Sequence, residues 1–236
     1  MKKTVSSALR KAVRKANVEL SRRGLAHFTF GNASAIDRER GLVVIKPSGV
    51  AYEALTPEDM VVTDLKGKVL EGKLRASSDL ATHIVLYEAF AEIGAVVHTH
   101  SPHATAWAQA WRELPCFGTT HADYFDGSVP VTPALDREEI ENDYEVNTGK
   151  VIVRRFEGID PLSRPAVLVG GHASFCWGRT VGEAVETASI LEEVAMIGSL
   201  TVGINSAAQP IPEALRIKHF TRKHGPGAYY GQKKKR

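Results

Sequence analysis

His98 and His100 stand one residue apart at the end of an apolar run, Ala95-Val96-Val97-His98-Thr99-His100. Successive side chains of a strand point to opposite faces, so this spacing puts both imidazoles on one face, where they can share a metal ion. A third histidine has a similar setting, because Ala166-Val167-Leu168-Val169-Gly170-Gly171-His172 is another apolar run meeting a polar end. Asp79, in Ala76-Ser77-Ser78-Asp79 ahead of a helical pattern, offers a carboxylate. Three imidazoles and one carboxylate, with no thiolate, suit zinc or a similar divalent transition ion. An HxH pair taken alone is equally what a polar strand end carries, its rings bonded to backbone.

Other segments could recognise an anion. Lys46-Pro47-Ser48-Gly49 supplies an ammonium, a hydroxyl and a glycine whose N–H a ligand can approach. Gly31-Asn32 is similar, and Ser77-Ser78 lies at a helix start, where unpaired N–H groups and the helix dipole favour negative charge. Each is ordinary turn chemistry alone; together they propose a phosphate pocket. Thr119-Thr120-His121-Ala122-Asp123-Tyr124 is dense in acid–base groups, and Asp123 suits a proton carrier if it lies near the metal; a surface loop is the competing reading. The run from Lys218 and His219 to His224, with Tyr229 and Tyr230 beyond, adds donors, though a basic helix end facing its own dipole explains much of it. A tail tyrosine acts as an acid where a neighbouring cation lowers its pKa.

These groups need elements to carry them. Apolar spacing predicts an amphipathic helix over 5–23, with Leu9, Ala12, Val13, Ala16 and Leu20 on one face, ended by Gly24. Short strands are predicted at 28–30, 33–36 and 42–45, and a hairpin joins 61–63 to 68–70. Helical spacing follows from Ser78 to Phe90, with Ser77 or Ser78 as N-cap, then the His98 strand and a helix opened by Pro102. Further helices are predicted at 137–144, 181–202 and 212–223, with strands at 151–153, 166–169 and 174–177. Helices around hairpin-linked strands imply a mostly antiparallel sheet covered by helices.

Composition narrows the classes. At 236 residues with 43% hydrophobic content, no internal repeat and no Gly/Ser-rich linker, the chain reads as one domain over 1–236. Its net charge of +3 includes the basic end Lys233-Lys234-Lys235-Arg236, and no basic stripe with interleaved aromatics marks a nucleic-acid binder. Cys116 and Cys176 lie far apart with no CxxC spacing, which argues against a disulfide framework or a cysteine zinc cluster. The basic start Met1-Lys2-Lys3 continues into charged residues, unlike a signal peptide, and no uninterrupted apolar run approaches the roughly 20 residues of a membrane span. The expectation is a cytoplasmic protein that binds neither nucleic acid nor membrane.

The ordered set of His98-Thr99-His100-Ser101, Lys46-Pro47-Ser48-Gly49, Ala76-Ser77-Ser78-Asp79, Gly118-Thr119-Thr120-His121-Ala122-Asp123-Tyr124, Lys223-His224-Gly225 and Tyr229-Tyr230-Gly231 resembles the class II aldolase/epimerase family, and its epimerase branch in particular. The resemblance covers nearly the whole chain. It implies a three-layer α/β/α sandwich and a C4 homotetramer with active sites between subunits. It also implies one zinc ion per subunit on Asp79, His98, His100 and His172. Gly31, Asn32, Lys46, Ser48, Gly49, Ser77 and Ser78 would hold a phosphorylated ketopentose, with His219 in support. Asp123 and Tyr230, the latter from the adjacent subunit, would be the acid–base pair. The implied reaction inverts C4 by retro-aldol cleavage of C3–C4, rotation of the aldehyde and re-addition. Aldolases of the family, such as those acting on L-fuculose 1-phosphate, carry glutamate at the position of Asp79 and are the nearer rival; a non-catalytic metal-binding protein is the rival of another class. One departure is Ala173-Ser174, where the family often has Gly-Pro after the third histidine, a change of turn rather than of ligand.

Overall fold

The computed structural model describes residues 5–232; the Met1-Lys2-Lys3 start and the Lys233–Arg236 tail lie outside the described residues. Helix α1 (Ser7–Arg22) opens on Ser6, whose hydroxyl accepts the Leu9 N–H, and buries Val13, Ala16 and Leu20 along one stripe. Strands β1 (Asn32–Asp37), β2 (Leu42–Ile45), β3 (Val61–Asp64) and β4 (Val69–Glu71) follow. Next come α2 (Leu80–Ala89), β5 (Ala95–Thr99), α3 (Pro102–Gln109), α4 (Thr119–Ala122), α5 (Arg137–Glu141) and α6 (Tyr144–Arg155). The chain continues through β6 (Ala166–Leu168), β7 (Ser174–Gly178), α7 (Val181–Ile204) and α8 (Glu213–Lys223).

The strands form one sheet in the order β4-β3-β2-β1-β5-β7-β6, and every neighbouring pair is antiparallel. Strand alternation sorts the apolar residues to its two sides. Ala33, Ala35, Val97 and Cys176 join a core with residues of α1, α3 and α7. Val43, Val96, Phe175 and Trp177 join a second core with α2 and α6. Helices on both faces of a central sheet make the three-layer α/β/α sandwich. Helix α7 is long and apolar enough to cross a membrane by length and composition alone. It lies against the sheet, and its Glu192 carboxylate accepts the His103 and Ala104 amides at the start of α3.

Four local expectations are corrected. Residues 28–30 form a turn rather than a strand, with Phe28 at φ 53°; Phe-Thr-Phe alternates as a strand would, but among the described residues no strand pairs with it. Residues 151–153 lie inside α6. Their β-branched character is overridden because Thr148, Val151 and Ile152 share a buried helical face and Gly149 packs against Val85 of α2. The helix expected over 137–144 stops at Glu141, and α6 restarts after Asp143, which takes φ 50°. Neither Ser77 nor Ser78 caps α2, because Asp79 holds that position and its carboxylate is engaged elsewhere.

Candidate metal centre and anion pocket

Sheet register sets out the site. On β5, His98 lies opposite Asn32 of β1 on one side and Phe175 of β7 on the other, so one face carries Asn32, His98 and Phe175 in a row. Phe175 stacks on the His98 ring with centroids 4.2 Å apart. The His98 Nδ1–H donates to the Ser174 carbonyl at 2.9 Å. A carbonyl only accepts, so Nδ1 carries a proton and Nε2 is the ring atom turned to the other two histidines. That Nε2 lies 3.1 Å from His100 Nε2 and 3.3 Å from His172 Nε2. His100 follows the strand directly, and His172 comes from the turn between β6 and β7.

The ligand atoms of these three histidines all lie within 4.8 Å of one another. Burial pushes the pKa of His100 down and that of His172 down to about 4, with neighbouring imidazoles adding to each effect. Converging Nε2 atoms are the donor set a divalent transition metal takes, and the residues fit that group. Asp79 lines the same cavity. Its Oδ2 accepts Asn32 Nδ2 at 2.6 Å and the Ser77 hydroxyl at 3.4 Å. Burial works to raise its pKa, but the neighbouring His98 and His83 and the Asn32 hydrogen bond outweigh it and hold the carboxyl low.

The cavity, about 320 Å³, joins the histidines and Asp79 to Gly31, Asn32, Lys46, Ser48, Gly49, Ser77 and Ser78. Two segments distant in sequence are laced together there: Ser77 N donates to the Lys46 carbonyl at 3.0 Å, and Ser48 N to the Arg75 carbonyl at 2.9 Å. Gly31, at φ 82°, presses on the His98 backbone, where a Cβ would stand 2.6 Å from the carbonyl oxygen. Lys46 is 1% exposed, its pKa lowered by burial, with Nζ 3.3 Å from the Pro47 carbonyl and 4.9 Å from the Tyr52 ring centroid. Beside it, the Tyr52 hydroxyl lies within hydrogen-bonding distance of the Phe30 and Gly31 carbonyls and so steadies the Gly31 loop. Among the described residues Lys46 has no carboxylate partner, and a buried cation beside the Ser48, Ser77 and Ser78 hydroxyls suits an anion.

A second cluster surrounds Asp123, at the end of α4. This segment is a short helix rather than a surface loop, with His121 and Asp123 both buried. Asp123 accepts Arg222 Nε at 2.8 Å and the other guanidinium arm at 2.5 Å, and His219 Nδ1 at 3.0 Å. Burial works to raise its pKa, but Arg222, His219 and Lys223 outweigh it and lower it. The cations of α8 therefore serve Asp123 more than their own helix dipole. Arg222 and Lys223 both lie over the Tyr230 ring, at 4.8 and 4.5 Å from its centroid. Neither Asp123, His219 nor Tyr230 lines the histidine cavity. Three contributors carried no sequence signal: Phe175 under His98, Tyr52 under the Gly31 loop, and Tyr144, whose hydroxyl lies 3.3 Å from His172 Nδ1.

Comparison with known proteins gives this sandwich, with its metal-fitting histidine cluster, a family. Residues 11–198 match the family described as class II aldolase and adducin N-terminal domain. The chain belongs to that family. It is 56% identical over 225 residues to the L-ribulose-5-phosphate 4-epimerase UlaF of Salmonella paratyphi B, covering 95% of this chain and 99% of that one. Among solved structures, an L-fuculose 1-phosphate aldolase superposes with a TM-score of 0.78 at 27% identity, covering 92% of this chain and 97% of the other. The L-fuculose-1-phosphate aldolase of Thermus thermophilus superposes with a TM-score of 0.67 at 26% identity, covering 86% of this chain and 100% of the other.

Proposed function

We infer that this protein is an L-ribulose-5-phosphate 4-epimerase, interconverting L-ribulose 5-phosphate and D-xylulose 5-phosphate. The observation that carries the reading is the cavity that joins His98, His100 and His172 to the buried Lys46 and to the Gly31–Asn32, Ser48–Gly49 and Ser77–Ser78 segments. In it His98, His100 and His172, with Asp79 as fourth ligand, hold one zinc ion. When bound, such an ion supplies Lewis-acid polarisation of the substrate's carbonyl. Asn32, Lys46, Gly49, Ser77 and Ser78 hold the substrate, chiefly its phosphate.

Asp123 and Tyr230 are the proton carriers. Arg222 keeps Asp123 ionised and contacts Tyr230, so the pair travels together. Because neither lines the cavity of its own chain, the reading places a neighbouring copy's pair over each cavity, in a cytoplasmic C4 homotetramer of single-domain chains. Loss of the C4 hydroxyl proton to one carrier breaks C3–C4 and leaves the electron pair on C3, delocalised into the C2 carbonyl. The aldehyde turns, C3 adds to its other face, and the second carrier returns a proton to the C4 oxygen. Water exclusion keeps the aldehyde in place.

The test is turnover of L-ribulose 5-phosphate by the zinc-loaded protein, following D-xylulose 5-phosphate and free glycolaldehyde phosphate, with and without chelator. Chelator-sensitive D-xylulose 5-phosphate with little free aldehyde is expected. Free aldehyde as the main product would instead assign a product-releasing aldolase, the reading favoured by likeness to the L-fuculose 1-phosphate aldolase fold. No turnover at full zinc occupancy would overturn both.

A further inference from the structure

Trp111 is a bulky aromatic residue in a backbone conformation that suits glycine, with φ 54°. Such an outlier persists only where its surroundings over-determine it. What holds it is the turn before His172. The indole lies against Gly170 and Gly171, where an added Cβ would stand 2.3 Å from two ring carbons in the first case and 3.0 Å from one in the second. The same carbonyl, that of Ala108 at the end of α3, accepts both the Trp111 N–H, at 3.1 Å, and the Gly171 N–H, at 3.0 Å. From the other side Thr132 Oγ1 accepts the Gly170 N–H at 3.1 Å. The glycine pair is thus clamped between an indole and a hydroxyl, and the next residue is His172.

The geometry points to Trp111 as a positioning residue: its ring fixes the Gly170–Gly171 turn and thereby the direction from which His172 Nε2 meets His98 Nε2. At Gly170 the ring occupies the space a side chain would take, and Gly171 is favoured as glycine both by the ring and by its own φ of 72°. Trp111 does not line the cavity and acts through His172 alone. This inference rests on reading His172 as a metal ligand, so the experiment tests the two separately.

The probe is Zn2+, its affinity measured by competition with a chromophoric chelator on the full chain, together with thermal unfolding of the metal-stripped protein. His172→Ala is the control; if it binds Zn2+ as the parent does, the ligand reading falls, whatever Trp111 does. Trp111→Gly suits the backbone, so metal-free unfolding is expected to stay unchanged while Zn2+ affinity falls about tenfold, the range for lost outer-shell support. Trp111→Phe keeps a ring over the glycines and should recover most of that loss. Gly170→Ala pushes against the ring and should weaken Zn2+ binding too, with the double variant Trp111→Gly/Gly170→Ala no worse than the poorer single one, since both act on one contact. Trp107 and Trp177 are buried and Trp111 is 48% exposed, so Zn2+ should shift tryptophan emission in the parent and not in Trp111→Phe. Parent-like Zn2+ affinity in both Trp111→Gly and Gly170→Ala would overturn the proposal.

Discussion

His98 donates its Nδ1–H to the backbone carbonyl of Ser174 at 2.9 Å, and the Ser174 hydroxyl lies 3.3 Å from that of Thr99. The acceptor that orients the ring is therefore main chain. Ser174→Ala should keep Zn2+ affinity and cost about 1 kcal/mol of stability for a buried hydrogen bond. His98→Ala should lose both metal and activity. Metal analysis and urea unfolding of the two variants separate the outcomes; full zinc in His98→Ala would refute the ligand assignment.

Asp123 is gripped by Arg222 and His219 rather than by the histidine cluster. Asp123→Asn should spare zinc content and reduce turnover at least about a hundredfold, the scale of lost acid–base catalysis. Steady-state kinetics beside metal analysis checks this, and unchanged turnover removes Asp123 from the chemistry.

The separation of the Asp123 and Tyr230 cluster from the histidine cavity gives a sharper test of assembly. Co-refolding inactive His98→Ala with inactive Asp123→Asn should restore activity if each site takes its cavity from one chain and its proton carriers from another. No recovery in confirmed mixed oligomers would place the whole site in one chain.

His121 is buried, its Nε2 donating to the Gly127 carbonyl at 2.8 Å, and burial pushes its pKa down to about 4 from 6.5. Below pH 6.5 the unfolded chain binds a proton that the folded one refuses, so this stability is full above 6.5 and lost as pH falls toward 4. At about 1.4 kcal/mol per unit, the loss is on the order of 3 kcal/mol. His121→Gln keeps a donor for Gly127 and should flatten the pH dependence of unfolding free energy in that window; an unchanged slope would contradict it.

By itself the sequence determined what short-range periodicity encodes. The apolar run 42–45 is β2, the stripe through Val13, Ala16 and Leu20 is the buried face of α1, and the one-residue spacing of His98 and His100 puts both rings on one side. Each follows from a repeat that the backbone imposes within a few residues. Where propensity and packing disagreed, packing won: 151–153 is β-branched yet helical because α2 offers that stretch a surface. Tertiary structure alone decided the partners. His172 meets His98 across 74 residues, Arg222 meets Asp123 across 99, and Trp111 meets Gly170. The placement of β5 between β1 and β7 brings Asn32, His98 and Phe175 into one row. Sheet order is set by the burial of both faces of the whole sheet at once, and no local pattern carries that information.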